Sequence, residues 1–177
     1  MLTIWFIAVV VQVVCSLDPC TNSIEINNKY RSVEYHYSLD AAHFEPMVCD
    51  MHLQPGWYRF TQGLNGSMPV KIPTTCVSEY HCGTHAPFWM NGTHPTVADD
   101  IVVKQICGSI SMNCCRYEST IRVKNCGAFY VYELKPTIGC SMAYCAGTGV
   151  PCSRHQTSQT GYQPGCKDIN GGSVITG

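Results

Sequence analysis

Thr120-Ile121-Arg122-Val123-Lys124-Asn125-Cys126-Gly127-Ala128-Phe129-Tyr130-Val131-Tyr132-Glu133-Leu134 is the stretch from which the fold is read. Ile121 and Val123 alternate with Arg122 and Lys124, so one face is apolar and the other charged, the two-residue period of a half-buried strand. Asn125-Cys126-Gly127-Ala128 is turn-like, and Phe129-Tyr130-Val131-Tyr132 consists of strand formers. The stretch predicts a β-hairpin.

Upstream, Ile101-Val102-Val103-Lys104-Gln105-Ile106 is β-branched and apolar, a strand by length and composition. Gly56-Trp57-Tyr58-Arg59-Phe60 follows the turn signal Pro55-Gly56 and reads as another strand. No long amphipathic helical pattern and no internal repeat occur. Residues 61–96 carry Gly63, Gly66, Pro69, Pro73, Gly83, Pro87, Gly92 and Pro95 and read as mostly loop. A loop of that length needs a staple, and Cys76 and Cys82 lie inside it. Residues 147–177, rich in Gly, Ser and Thr, read as a tail or the start of a truncated module holding Cys152 and Cys166.

The chain has 177 residues, with 11 Lys+Arg against 12 Asp+Glu and no charge runs, so it carries no basic footprint for nucleic acid. A hydrophobic content of 45% is too high for intrinsic disorder. The outlier is cysteine, 13 residues, and the amino terminus tells how to read it. Residues 1–16 contain no charge, and the apolar run 4–14 has the length of a signal-peptide core, too short to span a bilayer. Val14 and Ser16 suit the small positions of a cleavage site, which places cleavage after Ser16. The alternative of a buried amino-terminal strand fits poorly with the abrupt polarity of Leu17-Asp18-Pro19-Cys20. Removing Cys15 from the 13 cysteines leaves 12, an even number that in a secreted chain reads as six disulfides. No second apolar stretch follows, so neither a membrane span nor a lipid anchor is expected, and the product is expected to be secreted and extracellular.

Metal and catalytic chemistry have weaker claims. Zinc sites need closely spaced ligand pairs, and no CxxC occurs. His81-Cys82-Gly83-Thr84-His85 comes nearest, but Cys82 is expected to be bridged and the two histidines to be surface or turn residues. Vicinal Cys114-Cys115 is expected to bond elsewhere, because closing a ring between neighbours strains the peptide. There is no GxSxG elbow, and Cys107-Gly108-Ser109-Ile110 lacks the rest of a thiol-protease site. No catalytic residue, metal or cofactor is expected.

Asn65-Gly66-Ser67 and Asn91-Gly92-Thr93 are N-glycosylation sequons in the loop-rich region. Asn-Gly alone could equally be a tight turn left unmodified. Phe88 and Trp89 beside Asn91 could form a sugar-stacking platform, but anchoring the segment onto the core is the preferred reading.

Taken in order, Asp18-Pro19-Cys20, Cys49-Asp50, Gly56-Trp57-Tyr58-Arg59-Phe60, Cys76-Val77, Cys82-Gly83-Thr84, Ala86-Pro87-Phe88-Trp89-Met90-Asn91-Gly92-Thr93-His94-Pro95, Cys114-Cys115, Val123-Lys124-Asn125-Cys126, Tyr130-Val131-Tyr132 and Ala143-Tyr144-Cys145 carry a resemblance. The chain resembles the cysteine-rich domain, of eight or ten cysteines, found in uromodulin, the pancreatic zymogen-granule membrane glycoprotein and the liver-specific zona pellucida protein. The resemblance implies a small, mainly β, disulfide-rich extracellular domain with twisted antiparallel sheets and long stapled loops, over residues 17–146. It implies the pairs Cys20–Cys126, Cys49–Cys140, Cys76–Cys114, Cys82–Cys145 and Cys107–Cys115, leaving Cys152 and Cys166 to pair with each other or with a missing module. It also implies a binding function through extracellular proteins, lectins or bacterial adhesins, some members presenting mannose-rich glycans as decoys. The alternative is a purely structural extracellular or matrix module whose glycans serve folding and solubility. Two departures stand out. Neither a zona pellucida module nor EGF-like domains fit in the 32 residues after Cys145, and Glu133-Leu134-Lys135 stands where uromodulin has a sequon after Tyr-Val-Tyr.

Overall fold

Strands that alternate apolar and polar residues must lay one face on a core, and here they join edge to edge. The computed structural model describes residues 17–37, 47–63, 66, 68–148, 152, 156–157 and 166–169. Residues 1–16, read from the sequence as a leader, and Asn65 lie outside the described residues. Ten strands are described: β1 (Ile24–Asn27), β2 (Gly56–Gln62), β3 (Met68–Val70), β4 (Ala86–Asn91), β5 (Ile101–Ile110), β6 (Asn113–Asn125), β7 (Tyr130–Leu134), β8 (Met142–Tyr144), β9 (Gln156–Thr157) and β10 (Lys167–Asp168). One sheet runs β1-β2-β7-β6-β5-β4-β8, with β3 also paired to β2, and β9 and β10 form a separate two-stranded ribbon.

The hairpin expected over 120–134 is present: β6 and β7 pair antiparallel, Arg122 opposite Glu133, Val123 opposite Tyr132, Lys124 opposite Val131 and Asn125 opposite Tyr130. The expected strands at 56–60 and 101–106 are the cores of β2 and β5. β5 returns into β6 through Ser111 and Met112, both left-handed at φ 52° and 59°, as a tight hairpin turn requires.

Among its described residues the span 61–96 is mostly loop, as expected, but that reading missed strand β4. β4 lies inside that span, between β5 and the parallel strand β8, and its residues Ala86 to Met90 are all buried. Proline and glycine around it hid the strand. It also has no alternation, because both of its faces are covered.

Register assigns every side chain to a face, since residues directly opposite across a ladder point the same way. The inner face carries the larger core: Tyr58 and Phe60 of β2, Phe88 and Met90 of β4, Ile106 of β5, Ile121 and Val123 of β6, Tyr132 and Leu134 of β7, and Tyr144 of β8. Gly108 of β5 makes room here, since an added Cβ would stand 2.8 Å from the Phe88 ring. The outer face has its own smaller cluster at the β4–β5 end: Trp89 packed with Val77, Cys82, Cys107 and Cys145. Trp89 Nε1 donates to Ser109 Oγ (3.0 Å) and to the Cys114 carbonyl (2.8 Å). Phe88 and Trp89 thus point to opposite faces and anchor β4 rather than forming a platform.

The free edge of β8 is covered by a buried ion pair. Arg31 grips Asp50 through both guanidinium nitrogens, Nη1 to Oδ2 at 2.7 Å and Nη2 to Oδ1 at 2.6 Å, and Asp50 Oδ2 accepts the Tyr144 N–H at 2.8 Å. Nη1 also donates to the Tyr144 carbonyl at 3.0 Å. Both Asp50 carboxylate oxygens are in charge-assisted bonds, which offsets much of the cost of burying the charges, while Arg31 Nε is buried without a hydrogen-bond partner.

Candidate functional site

Sulfur fixes the loops that the sheet leaves over. The structure pairs Cys20 with Cys126, Cys49 with Cys140, Cys76 with Cys114, Cys82 with Cys145, Cys107 with Cys115 and Cys152 with Cys166. The vicinal cysteines therefore join two different partners. Cys76–Cys114, helped by Glu79 Oε2 accepting the Ser111 N–H at 2.8 Å, binds the 73–82 loop to the tip of the β5–β6 hairpin. Lys29 Nζ donates to the Cys152 carbonyl at 2.9 Å, which joins the Cys152–Cys166 bridge to the segment after β1.

With Cys107 bridged, and Ser109 Oγ taking the Trp89 proton and donating to the Cys114 carbonyl at 3.0 Å, that segment is packing rather than a nucleophile. His81 and His85 are not plain surface residues. His81 Nδ1 lies 2.7 Å from the Val33 carbonyl and its ring meets His36, while the His85 ring sits between Tyr37 and Tyr80. They clamp residues 33–37 onto this loop, and among the described residues no group of three or more His, Cys, Asp or Glu could hold a metal ion.

Asn91, Gly92 and Thr93 are all exposed, immediately after the five buried residues of β4. Asn91 Nδ2 donates to Oε1 of Gln105, its cross-strand partner on the outer face, at 2.8 Å. Gly92 sits at φ +109° and an added Cβ would meet nothing within 4 Å, so the surface beyond Asn91 is open.

The residues that follow pin this tripeptide in place. Tyr132 Oη accepts the Ile72 N–H at 3.1 Å, leaving its own proton for His94 Nε2 at 2.9 Å. The His94 ring also lies against Tyr130, and the Pro95 carbonyl accepts from Asn125 Nδ2 at 2.9 Å. Burial, with Lys71 and Lys104 nearby, lowers the His94 pKa from 6.5 to about 4, so the ring is neutral and can accept that proton. Burial likewise holds the Tyr132 hydroxyl far above the ordinary phenol range. His94 and Tyr132 both lie in stretches that carry the resemblance, but their contact joins residues 38 apart in sequence, which no local pattern marks.

The site is thus a rigid, solvent-facing asparagine held at the end of a buried strand. Its amide donates to Gln105, and the surface beyond it is open. Among the described residues no helix is long and apolar enough to cross a membrane.

A family model for the uromodulin-like domain of eight cysteines matches residues 58–146, the span from β2 to the end of β8 and its flanking cysteine. The pancreatic secretory granule membrane major glycoprotein GP2 of Rattus norvegicus is 41% identical over 132 residues, covering 72% of this chain and 23% of that protein. Its counterpart in Canis lupus familiaris is 42% identical over 131 residues, covering 73% and 23%. Uromodulin of Mus musculus is 39% identical over 137 residues, covering 76% of this chain and 19% of that protein. The chain therefore spans about a quarter or less of the length of these relatives. The comparisons point to no enzyme family.

Proposed function

Because this chain belongs to the uromodulin-like cysteine-rich domain family, we propose that it is a binding module that holds an N-glycan on Asn91 out to glycan-binding partners. The domain is extracellular, as its glycoprotein relatives are. The observation that carries the reading is the exposure of Asn91-Gly92-Thr93 directly after a strand buried on both faces. A glycan there would start from a fixed point rather than from a swinging loop. A glycosylated amide nitrogen keeps one proton, so the bond to Gln105 can survive modification. The partners of this class are lectins and microbial adhesins that bind mannose, and Asn65 would carry a second glycan. The mature module would run over residues 17–146, after a leader of 16 residues, with 147–177 as a tail or the start of a further module.

The test is capture of the secreted protein on an immobilised mannose-specific lectin. Asn91→Gln should lose most of the capture and Asn65→Gln/Asn91→Gln all of it, with the disulfides intact by non-reducing mass. Undiminished capture of the double variant would overturn the proposal. If the double variant instead secretes poorly and loses no partner, the glycans serve folding and the module is structural. N-terminal sequencing of the secreted chain checks the leader, with Leu17 expected first.

A further inference from the structure

The outer face of the sheet is covered at one end and bare at the other, and the sequon stands at the boundary. Reading along β5 on that face, Ser109 and Cys107 are buried under Trp89 and the 73–82 loop, Gln105 is half-buried, and Val103 and Ile101 are exposed at 66% and 37%. Val103 and Ile101 together make a bare β-branched pair on this face, and a cover for it would have to come from a neighbouring strand or from outside the sheet. β4 cannot supply it, because its ladder with β5 ends at Asn91 opposite Gln105. β6 does not supply it either. Arg122, opposite Val103, is drawn the other way, Nε to Glu133 Oε2 at 2.6 Å on β7 with its guanidinium over Trp57. Lys124, opposite Ile101, is held by Asp18 and Asp100.

We infer that the core sugars of a glycan on Asn91 lie along this face and cover Val103 and Ile101, with Gln105 as the positioning residue. The inference rests on the proposed modification of Asn91. Three placements carry it. Asn91 and Gln105 are joined on the outer face, so the first sugar leaves from that face. Val103 is the diagonal cross-strand neighbour of Asn91 on that face, about 7–8 Å away, within reach of one sugar ring. Beside Asn91, a Cβ added at Gly92 would meet nothing within 4 Å, so this side of the sequon is open. The chemistry matches, since a pyranose of the N-acetylglucosamine core offers a C–H face and an acetyl methyl to aliphatic side chains while its hydroxyls stay in water. Binding sugar this way stiffens the base of the glycan and leaves the outer mannoses free.

The experiment has two stages on the secreted full chain. Peptide mapping first asks whether Asn91 is occupied; an unmodified Asn91 overturns this inference together with the functional proposal. With occupancy established, isotope-filtered NMR looks for contacts between sugar protons and the Val103 methyls, expected in the wild type and lost in Gln105→Ala at unchanged occupancy. In parallel, binding of an apolar fluorescent dye should rise at least about twofold in Asn91→Gln and far less when Val103→Ser is added. Because Val103 and Gln105 sit outside the inner core, neither variant should impair folding. An occupied Asn91 with no sugar contacts to Val103, or an equal dye response with and without Val103→Ser, overturns the inference while leaving glycan presentation standing.

Discussion

The two faces of the sheet are held by different chemistry. On the inner face Tyr58, Phe60, Phe88, Met90, Ile106, Val123, Tyr132 and Leu134 exclude water from one another, and the β8 edge is closed by Arg31 and Asp50. On the outer face Trp89 and Val77, with the half-buried Val33, pack against Cys82, Cys107 and Cys145. The loop that covers them has almost nothing to bury: of residues 73–78, only Val77 is a large buried apolar side chain. Burial fastens the inner face, and cross-links do so where burial is too thin. Where neither reaches, at Val103 and Ile101, the sheet is bare and the sequon stands beside it.

This contrast can be broken at its strongest points first. Cys82→Ala/Cys145→Ala removes a buried bridge spanning 63 residues, so the loop-entropy model gives a loss of about 4 kcal/mol, to which a void in the outer cluster adds. Urea unfolding, or failure of secretion, is the measurement, and near-wild-type stability would mean that sulfur does not hold the outer face. Asp50→Asn should cost about 3 kcal/mol by the same measurement, because it leaves the Arg31 charge buried without its counter-ion. Tyr132→Phe should cost about 1–3 kcal/mol, since it strips the buried Ile72 N–H of its acceptor and His94 of its donor.

The pH dependence sharpens the comparison on the inner side. His94 binds its proton less readily folded than unfolded, so stability is full above pH 6.5 and falls as pH drops from 6.5 towards about 4. His94→Gln should flatten that window. The carboxylates held low by their partners, Glu133, Asp18 and Asp99, begin to lose their contribution at the acid end of that window, as pH falls through their ordinary values of 4.5 and 3.8, and lose it fully below it.

Smaller effects belong to the outer side. Cys76 and Cys114 are both exposed, whereas Cys107, Cys82 and Cys145 are buried, so limiting thiol should open Cys76–Cys114 first. Alkylation mapping would place the label there, with Trp89 fluorescence changing before the inner core unfolds. Arg122→Ala, which removes an exposed ion pair with Glu133, should change stability by less than about 1 kcal/mol.

Much of this was legible where strands keep one wet face. Ile121 and Val123 alternate with Arg122 and Lys124, so the hairpin could be read directly. β4 could not, because Phe88 and Met90 face one cluster and Trp89 the other, leaving no polar residue to set a period. The β5–β6 turn at Ser111-Met112 lacks the Asn-Gly or Asp-Gly that marks such turns. Asn91 was legible as a sequon, but its exposure depends on the ladder ending there, and the roles of Gln105, His94 and Tyr132 exist only through pairing across strands. The Arg31–Asp50 pair likewise joins segments with no local sequence relation.

The most direct test of the glycan-presenting reading is the intact mass of the secreted protein under non-reducing conditions, before and after an endoglycosidase that removes only mannose-rich glycans, with the site assigned by peptide mapping. The expected result is a mass loss assigned to Asn91, with the six bridges closed. An unmodified Asn91 would contradict the account of the outer face, and free thiols at the paired cysteines would contradict the way that face is held.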